Sequence, residues 1–143
     1  MATPKQFADC IRLCVNTNRQ DGTPFAFLGK GPPGIGKTSI ARQVTAKEGM
    51  KFFDTRVFMH GLEDWKFPIV DQAQKTIDWI CSLLPMDPNW RGVICLDEFD
   101  KANRDQQAIA LQLALDHKIG GRPLPRDAHV VLLANRLEDM AGG

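Results

Sequence analysis

The sequence predicts an α/β fold in which a mostly parallel sheet is covered by helices on both faces. Three observations carry this expectation. Short, uninterrupted apolar runs recur at Phe25 to Leu28, Gly92 to Leu96 and Val130 to Ala134, as in strands buried on both sides. Segments with the three-to-four apolar spacing of helices lie among them. A glycine-rich loop joins the first run directly to one of those helices. Strands alternating with helices build parallel sheets, because each crossover lays a helix on a sheet face.

Taken in order, Phe7 to Val15 places Phe7, Cys10, Ile11, Cys14 and Val15 on one helical face, which predicts an amphipathic first helix. Asp21-Gly22-Thr23-Pro24 is a turn, and Phe25-Ala26-Phe27-Leu28 is the first strand, expected to be buried on both faces. After the glycine loop, Thr38 to Lys47 runs without Gly or Pro, with Ile40, Ala41, Val44 and Thr45 on one face and Gly49 as the stop. Lys51 to Phe58 is a second strand. The region that follows has mixed polarity and little period, with Trp79 and Ile80 starting a short element. Gly92-Val93-Ile94-Cys95-Leu96 is the clearest strand and ends at the acidic cluster Asp97-Glu98-Phe99-Asp100. Asp105 to His117 is an Ala/Leu/Gln-rich helix, and Val130 to Ala134 is a last strand ending at Asn135. The chain contains no internal repeat and no low-complexity segment.

Composition narrows the function classes. The 143 residues fit one domain. Lys and Arg total 18 against 17 Asp and Glu, a formal charge of +1, so no strong field points to nucleic acid or an anionic membrane. Arg104, Arg122 and Arg126 are scattered among acids rather than arranged in a stripe. The apolar runs fall far short of the ~20 residues of a membrane-crossing helix. The amino terminus lacks the basic patch and apolar core of a secretory signal, which predicts a cytoplasmic protein. Cys10, Cys14, Cys81 and Cys95 show no C-x-x-C spacing, and Cys95 stands where a small hydrophobe would serve.

The chemistry is concentrated in three places. Gly31-Pro32-Pro33-Gly34-Ile35-Gly36-Lys37-Thr38 fits G-x-x-x-x-G-K-[ST] at every position, between a predicted strand and a predicted helix. Such a loop turns successive backbone N–H groups into one concavity, and the helix start adds its positive end. Gly31, Pro33, Gly34, Ile35, Gly36, Lys37, Thr38 and Ser39 are therefore the candidate phosphate-binding residues. Lys37 would reach the β- and γ-phosphates, and the Thr38 hydroxyl would ligate Mg²⁺. Asp97 and Glu98 stand at a strand's carboxyl end, where open α/β sheets hold ligands. Asp97 is the candidate for holding Mg²⁺ and Glu98 for orienting and deprotonating an attacking water. Asn135, at the end of another apolar strand, is the candidate for sensing the γ-phosphate or the lytic water.

The order of these motifs resembles the AAA+ ATPases, and more narrowly their MoxR-like branch. Phe53-Asp54-Thr55-Arg56 is similar to that branch's second strand, and Trp79 and Leu84-Pro85 to features preceding its Asp-Glu strand. Leu111 to Gly120, Leu124-Pro125 and Ala134-Asn135-Arg136-Leu137-Glu138-Asp139 continue the resemblance in order. The resemblance implies a P-loop NTPase three-layer sandwich, with Lys37 and Thr38 as the Walker A pair, Asp97 and Glu98 as Walker B, and Asn135 as sensor 1. It implies ATP and Mg²⁺ as cofactors, and remodelling of a partner protein by a ring, a hexamer by resemblance, often beside a protein carrying a von Willebrand factor A domain. Glu63 to Pro68 is similar to a family loop, without its glycine, and offers Trp65 and Phe67 either to a substrate or neighbour or to the core.

Family members continue past sensor 1 with an arginine finger, a fifth strand and a helical lid, whereas this sequence stops at Ala141-Gly142-Gly143. Residues 1–143 are thus expected to be a partial core, from Walker A to sensor 1, truncated before the last strand and the lid. Arg136 stands too close to the sensor to be the finger. In the family strand order, five-one-four-three-two, the first strand would then form an exposed edge. Two readings stand together: the front part of a ring ATPase, or a nucleotide-binding module that hydrolyses little by itself, since an arginine finger can be worth 10³ to 10⁵ in rate. A P-loop kinase is a third, disfavoured by the absence of an acceptor site.

Overall fold

The computed structural model describes residues 3–18, 20, 22–31, 36–65, 67–81 and 83–135. Four parallel strands form the central sheet: β1 (Phe27–Gly31), β2 (Lys51–Arg56), β5 (Arg91–Asp97) and β8 (Asp127–Asn135), in the order β1-β8-β5-β2. This is the expected one-four-three-two order, with the first strand at an edge. Helices α1 (Pro4–Val15) and α2 (Lys37–Lys47) cover one face, and α4 (Arg104–Asp116) covers the other. The sandwich therefore has three layers, as the sequence predicts.

The alternation of β5 explains the layering. Val93 and Cys95 pack with Phe7, Ile11 and Val15 of α1 and Ala41 and Val44 of α2. Ile94 and Leu96 face Ile109, Ala110 and Leu113 of α4. All four β5 side chains are fully buried, so the strand reads as one continuous apolar run. Burial also pushes the Cys95 thiol well above its ordinary range, which suits an inert packing residue. Gly92, at the start of this run, is required by a close approach: a Cβ there would stand 2.3 Å from the Lys51 carbonyl oxygen on β2.

The helix ends are set by capping. Thr3 accepts from the Gln6 backbone N–H while the Gln6 side chain accepts from Thr3 N–H, with Pro4 in the first turn, so α1 starts three residues before the predicted Phe7. Asn103 and Gln106 repeat this box at the start of α4, which runs one residue earlier at each end than predicted.

Several expectations are corrected. Phe25 to Leu28 is not a strand buried on both faces: β1 begins at Phe27, runs through Gly31 and leaves Leu28 and Lys30 exposed, because among the described residues β1 lies at the edge of the sheet and its face carrying these two side chains is uncovered. Cys10 is exposed, outside the buried α1 stripe of Phe7, Ile11, Cys14 and Val15. Ile40 is only half-buried. The second strand stops at Arg56, and Val57–Met59 forms a 3-10 turn. Trp79 and Ile80 end rather than start an element: β4 (Thr76–Ile80) pairs antiparallel with β3 (Phe67–Asp71), after the short α3 (Leu62–Trp65). Trp65 is wholly buried, so it belongs to the core and not to a contact surface. A two-residue hairpin, β6 (Lys118–Ile119) and β7 (Arg122–Pro123), connects α4 to β8. Arg122 pairs with Asp78 and so links the two hairpins. Among the described residues, no helix is long and apolar enough to cross a membrane.

Candidate functional site

The parallel strands all end at the same side of the sheet, and α2 starts there. Gly36 adopts a left-handed conformation, φ +77°, which glycine accepts at low cost, and this turns the chain into the first residue of α2. Lys37 and Thr38 then project over the strand ends. The Thr38 hydroxyl donates to Asp97 Oδ2 at 2.6 Å. Lys37 Nζ donates to Asn135 Oδ1 at 3.1 Å and to the Gly31 carbonyl at 3.2 Å. Residues 59 and 98 positions apart are thereby brought into direct contact.

These groups line a cleft of about 340 Å³ together with Gly36, Ser39, Glu98, Asp100, Lys101 and Ala134. Each described residue expected at the site, except Gly31, borders this cleft, and Gly31 joins it through the Lys37 bond. Pro33, Gly34 and Ile35 of the glycine loop, and Arg136 to Gly143, lie outside the described residues.

The end of β5 is a compact polar turn. Asp97 Oδ1 accepts the Glu98 backbone N–H at 2.8 Å, leaving Oδ2 for Thr38. Glu98 is left-handed, φ +54°, a conformation that costs a non-glycine residue about 1–2 kcal/mol and is concentrated at functional sites. Its carboxylate is ion-paired to Lys101 at 3.2 Å and to Arg56, at the end of β2, at 3.5 Å. Asp100 Oδ1 accepts the Asn135 backbone N–H at 3.1 Å.

Nearby on β2, Asp54 pairs with Arg42 of α2 at 3.7 Å. Burial and the Asp97 charge push the Asp54 carboxyl up, and Arg42 and Arg56 pull it down. Arg56, Asp100 and Lys101 were not predicted as site residues. The sequence places Asp100 and Lys101 in the acidic turn, but Asp100 makes its bond to a backbone amide far along the chain, which no spacing announces.

Chemically, the cleft offers an ammonium, a hydroxyl and carboxylates at the mouth of a helix N-terminus. Thr38 and Asp97 supply hard oxygen donors side by side. Among the described residues no group of three or more His, Cys, Asp or Glu could hold a metal ion by itself. An ion here would complete its shell with phosphate and water, as Mg²⁺ commonly does, so the residues fit that ion.

The parallel sheet, the glycine loop leading from β1 into α2, and the acidic end of β5 define a P-loop NTPase. The family model "ATPase family associated with various cellular activities (AAA)" matches residues 27–141, and the chain belongs to the AAA ATPase family. Membership implies ATP binding and hydrolysis. No curated protein matches the chain.

Proposed function

We propose that this chain binds Mg·ATP in the cleft at the strand ends and hydrolyses it. Gly31, Pro33, Gly34, Ile35, Gly36 and Ser39 surround the phosphates, and Lys37 contacts the β- and γ-phosphates. Thr38 and Asp97 hold Mg²⁺, which when bound neutralises charge on the phosphate oxygens. Glu98 orients the attacking water and accepts its proton, and Asn135 contacts the γ-phosphate or that water. The observation that carries the reading is the reach of two consecutive residues of α2: Lys37 bonds to Asn135 at the end of β8, and Thr38 to Asp97 at the end of β5.

The ordered MoxR-like signatures of the sequence support a narrower reading. In it, residues 1–143 are part of an AAA+ core that works in a cytoplasmic ring, a hexamer by resemblance. The ring remodels a partner protein and acts beside a protein with a von Willebrand factor A domain.

The test is steady-state ATPase activity over a wide range of protein concentration, with Glu98→Gln as the blank and ATP binding measured in parallel. Turnover that rises steeply with concentration is expected if chains complete one another's sites. Turnover no higher than the blank, with ATP still bound, would make the chain a binding module. A folded wild-type chain with no affinity for ATP at any Mg²⁺ concentration would overturn the phosphate site itself.

A further inference from the structure

We propose that Asp100 is a positioning residue for Asn135, tying the end of β8 to the turn that carries Glu98. The inference rests on the reading of Asn135 as a nucleotide contact. Strand β8 outruns its neighbour: the β5–β8 pairing ends at Leu96 and Leu132, while β8 continues through Leu133 and Ala134 to Asn135. Past that point β5 supplies no further ladder pairs on this side. Asp100 supplies an acceptor instead, taking the Asn135 N–H at 3.1 Å. A carboxylate acceptor makes a stronger bond than a neutral carbonyl.

The bond matters because of what lies at each end. Asn135 presents its carboxamide oxygen to Lys37. Asp100 belongs to the 3-10 turn Phe99–Lys101, in which the Lys101 N–H donates to the Glu98 carbonyl at 3.0 Å. The carboxamide of Asn135 and the carboxylate of Glu98 are therefore registered through one short turn. On its other edge β8 is paired with β1, with Asn135 opposite Gly31. Asp100 thus holds the strand end on the side that the ladder leaves open.

The experiment uses the ¹⁵N-labelled 143-residue chain with Asp100→Ala, Asp100→Asn, Asn135→Ala and the Asp100→Ala/Asn135→Ala double variant. Asp100→Asn keeps an acceptor oxygen and serves as the conservative control. Asp100→Ala is expected to speed exchange of the Asn135 backbone amide by roughly tenfold or more, the range corresponding to the loss of a hydrogen bond to a charged group, and Asp100→Asn to restore most of the protection. The response of the Asn135 side-chain amide signals to Mg·ATP should be lost in Asp100→Ala and kept in Asp100→Asn. Turnover and ATP affinity should fall no further in the double variant than in Asn135→Ala. Unchanged protection of the Asn135 amide in Asp100→Ala, or additive losses in the double variant, would overturn the proposal. If Asn135→Ala alone leaves binding and turnover at wild-type values, it is the reading of Asn135 that fails, and the amide exchange then decides the role of Asp100.

Discussion

Replacing Thr38 with valine tests the centre of the site, because valine keeps the shape of the side chain and loses only the hydroxyl. That hydroxyl donates to Asp97 Oδ2 at 2.6 Å in a half-buried setting. A hydrogen bond to a charged group contributes about 1.5–3 kcal/mol. The lower end applies here, since Asp97 keeps the Glu98 N–H at 2.8 Å and both residues are only half-buried. A loss of about 1.5 kcal/mol corresponds to a melting temperature lower by roughly 5 °C in a domain of this size. The effect on nucleotide should appear only with Mg²⁺, because the hydroxyl is assigned to the ion and not to phosphate. ATP affinity in saturating Mg²⁺ should fall by about tenfold, or about 1.4 kcal/mol, while affinity in chelator stays at the wild-type value. Thr38→Ser should retain both properties. Titration of a fluorescent ATP analogue with and without Mg²⁺, alongside thermal melts, reads all of these quantities. A Thr38→Val protein that melts lower yet binds Mg·ATP like wild type would refute the placement of Mg²⁺ at Thr38.

Lys37→Ala should abolish ATP binding at a cost to the fold of about 1 kcal/mol, since Lys37 bridges Gly31 and Asn135 by partly buried bonds; calorimetric titration and melting curves separate the two effects. Gly92→Ala should destabilise the domain by about 3 kcal/mol or more, beyond ordinary overpacking, because the new methyl would meet the Lys51 backbone at 2.3 Å; a variant within 1 kcal/mol of wild type in urea unfolding would contradict that packing. His129 is buried, with no hydrogen-bond partner for Nδ1 among the described residues, and burial lowers its pKa from the ordinary 6.5. The unfolded chain then binds the proton more readily than the folded one, so this stabilisation is complete above pH 6.5 and is lost as the pH falls. Melts from pH 8 to pH 5 should therefore decline less steeply in His129→Gln than in wild type, and parallel slopes would exclude the contribution.

How much the sequence reveals depends on where each strand lies. The central strands β5 and β8 are covered on both faces, so Val93 to Leu96 and Val130 to Ala134 announce themselves as apolar runs. The edge strand β1 exposes Leu28 and Lys30, which breaks the run and makes Gly29, Lys30 and Gly31 look like the beginning of the loop. Among the described residues the hairpin β3–β4 pairs only with itself, and residues 68 to 78 are exposed. No apolar face is required there and no period is written. The start of α1 is set by Thr3-Pro4-Lys5-Gln6, a capping box with proline in the first turn, which the apolar spacing that begins at Phe7 does not reveal. At the site, Lys37, Thr38, Asp97 and Asn135, each singled out by its own motif, meet side chain to side chain at the strand ends. Asp100 was hidden because its partner is a backbone amide, and any residue type but proline at that position could supply it.

The order of the sheet explains how one helix can reach the ends of two strands. The chain leaves β1 and enters α2, but the neighbour of β1 is β8, and β5 lies one strand further. Adjacent strands are about 4.8 Å apart, so β5 stands roughly 10 Å from β1. Successive residues of a helix point about 100° apart, as 3.6 residues per turn require. Lys37, on its long stem, meets the end of β8, and Thr38, rotated from it, meets the end of β5. A shift of α2 by one residue would turn both side chains away from their partners at once. The strand ends answer with groups of matching length: a carboxamide for the long lysine, and a carboxylate held close by the Glu98 backbone N–H for the short threonine. That same N–H belongs to a left-handed residue, so the bond that fixes Asp97 for Thr38 also helps to offset the strain that turns Glu98 out of the strand and into the cleft.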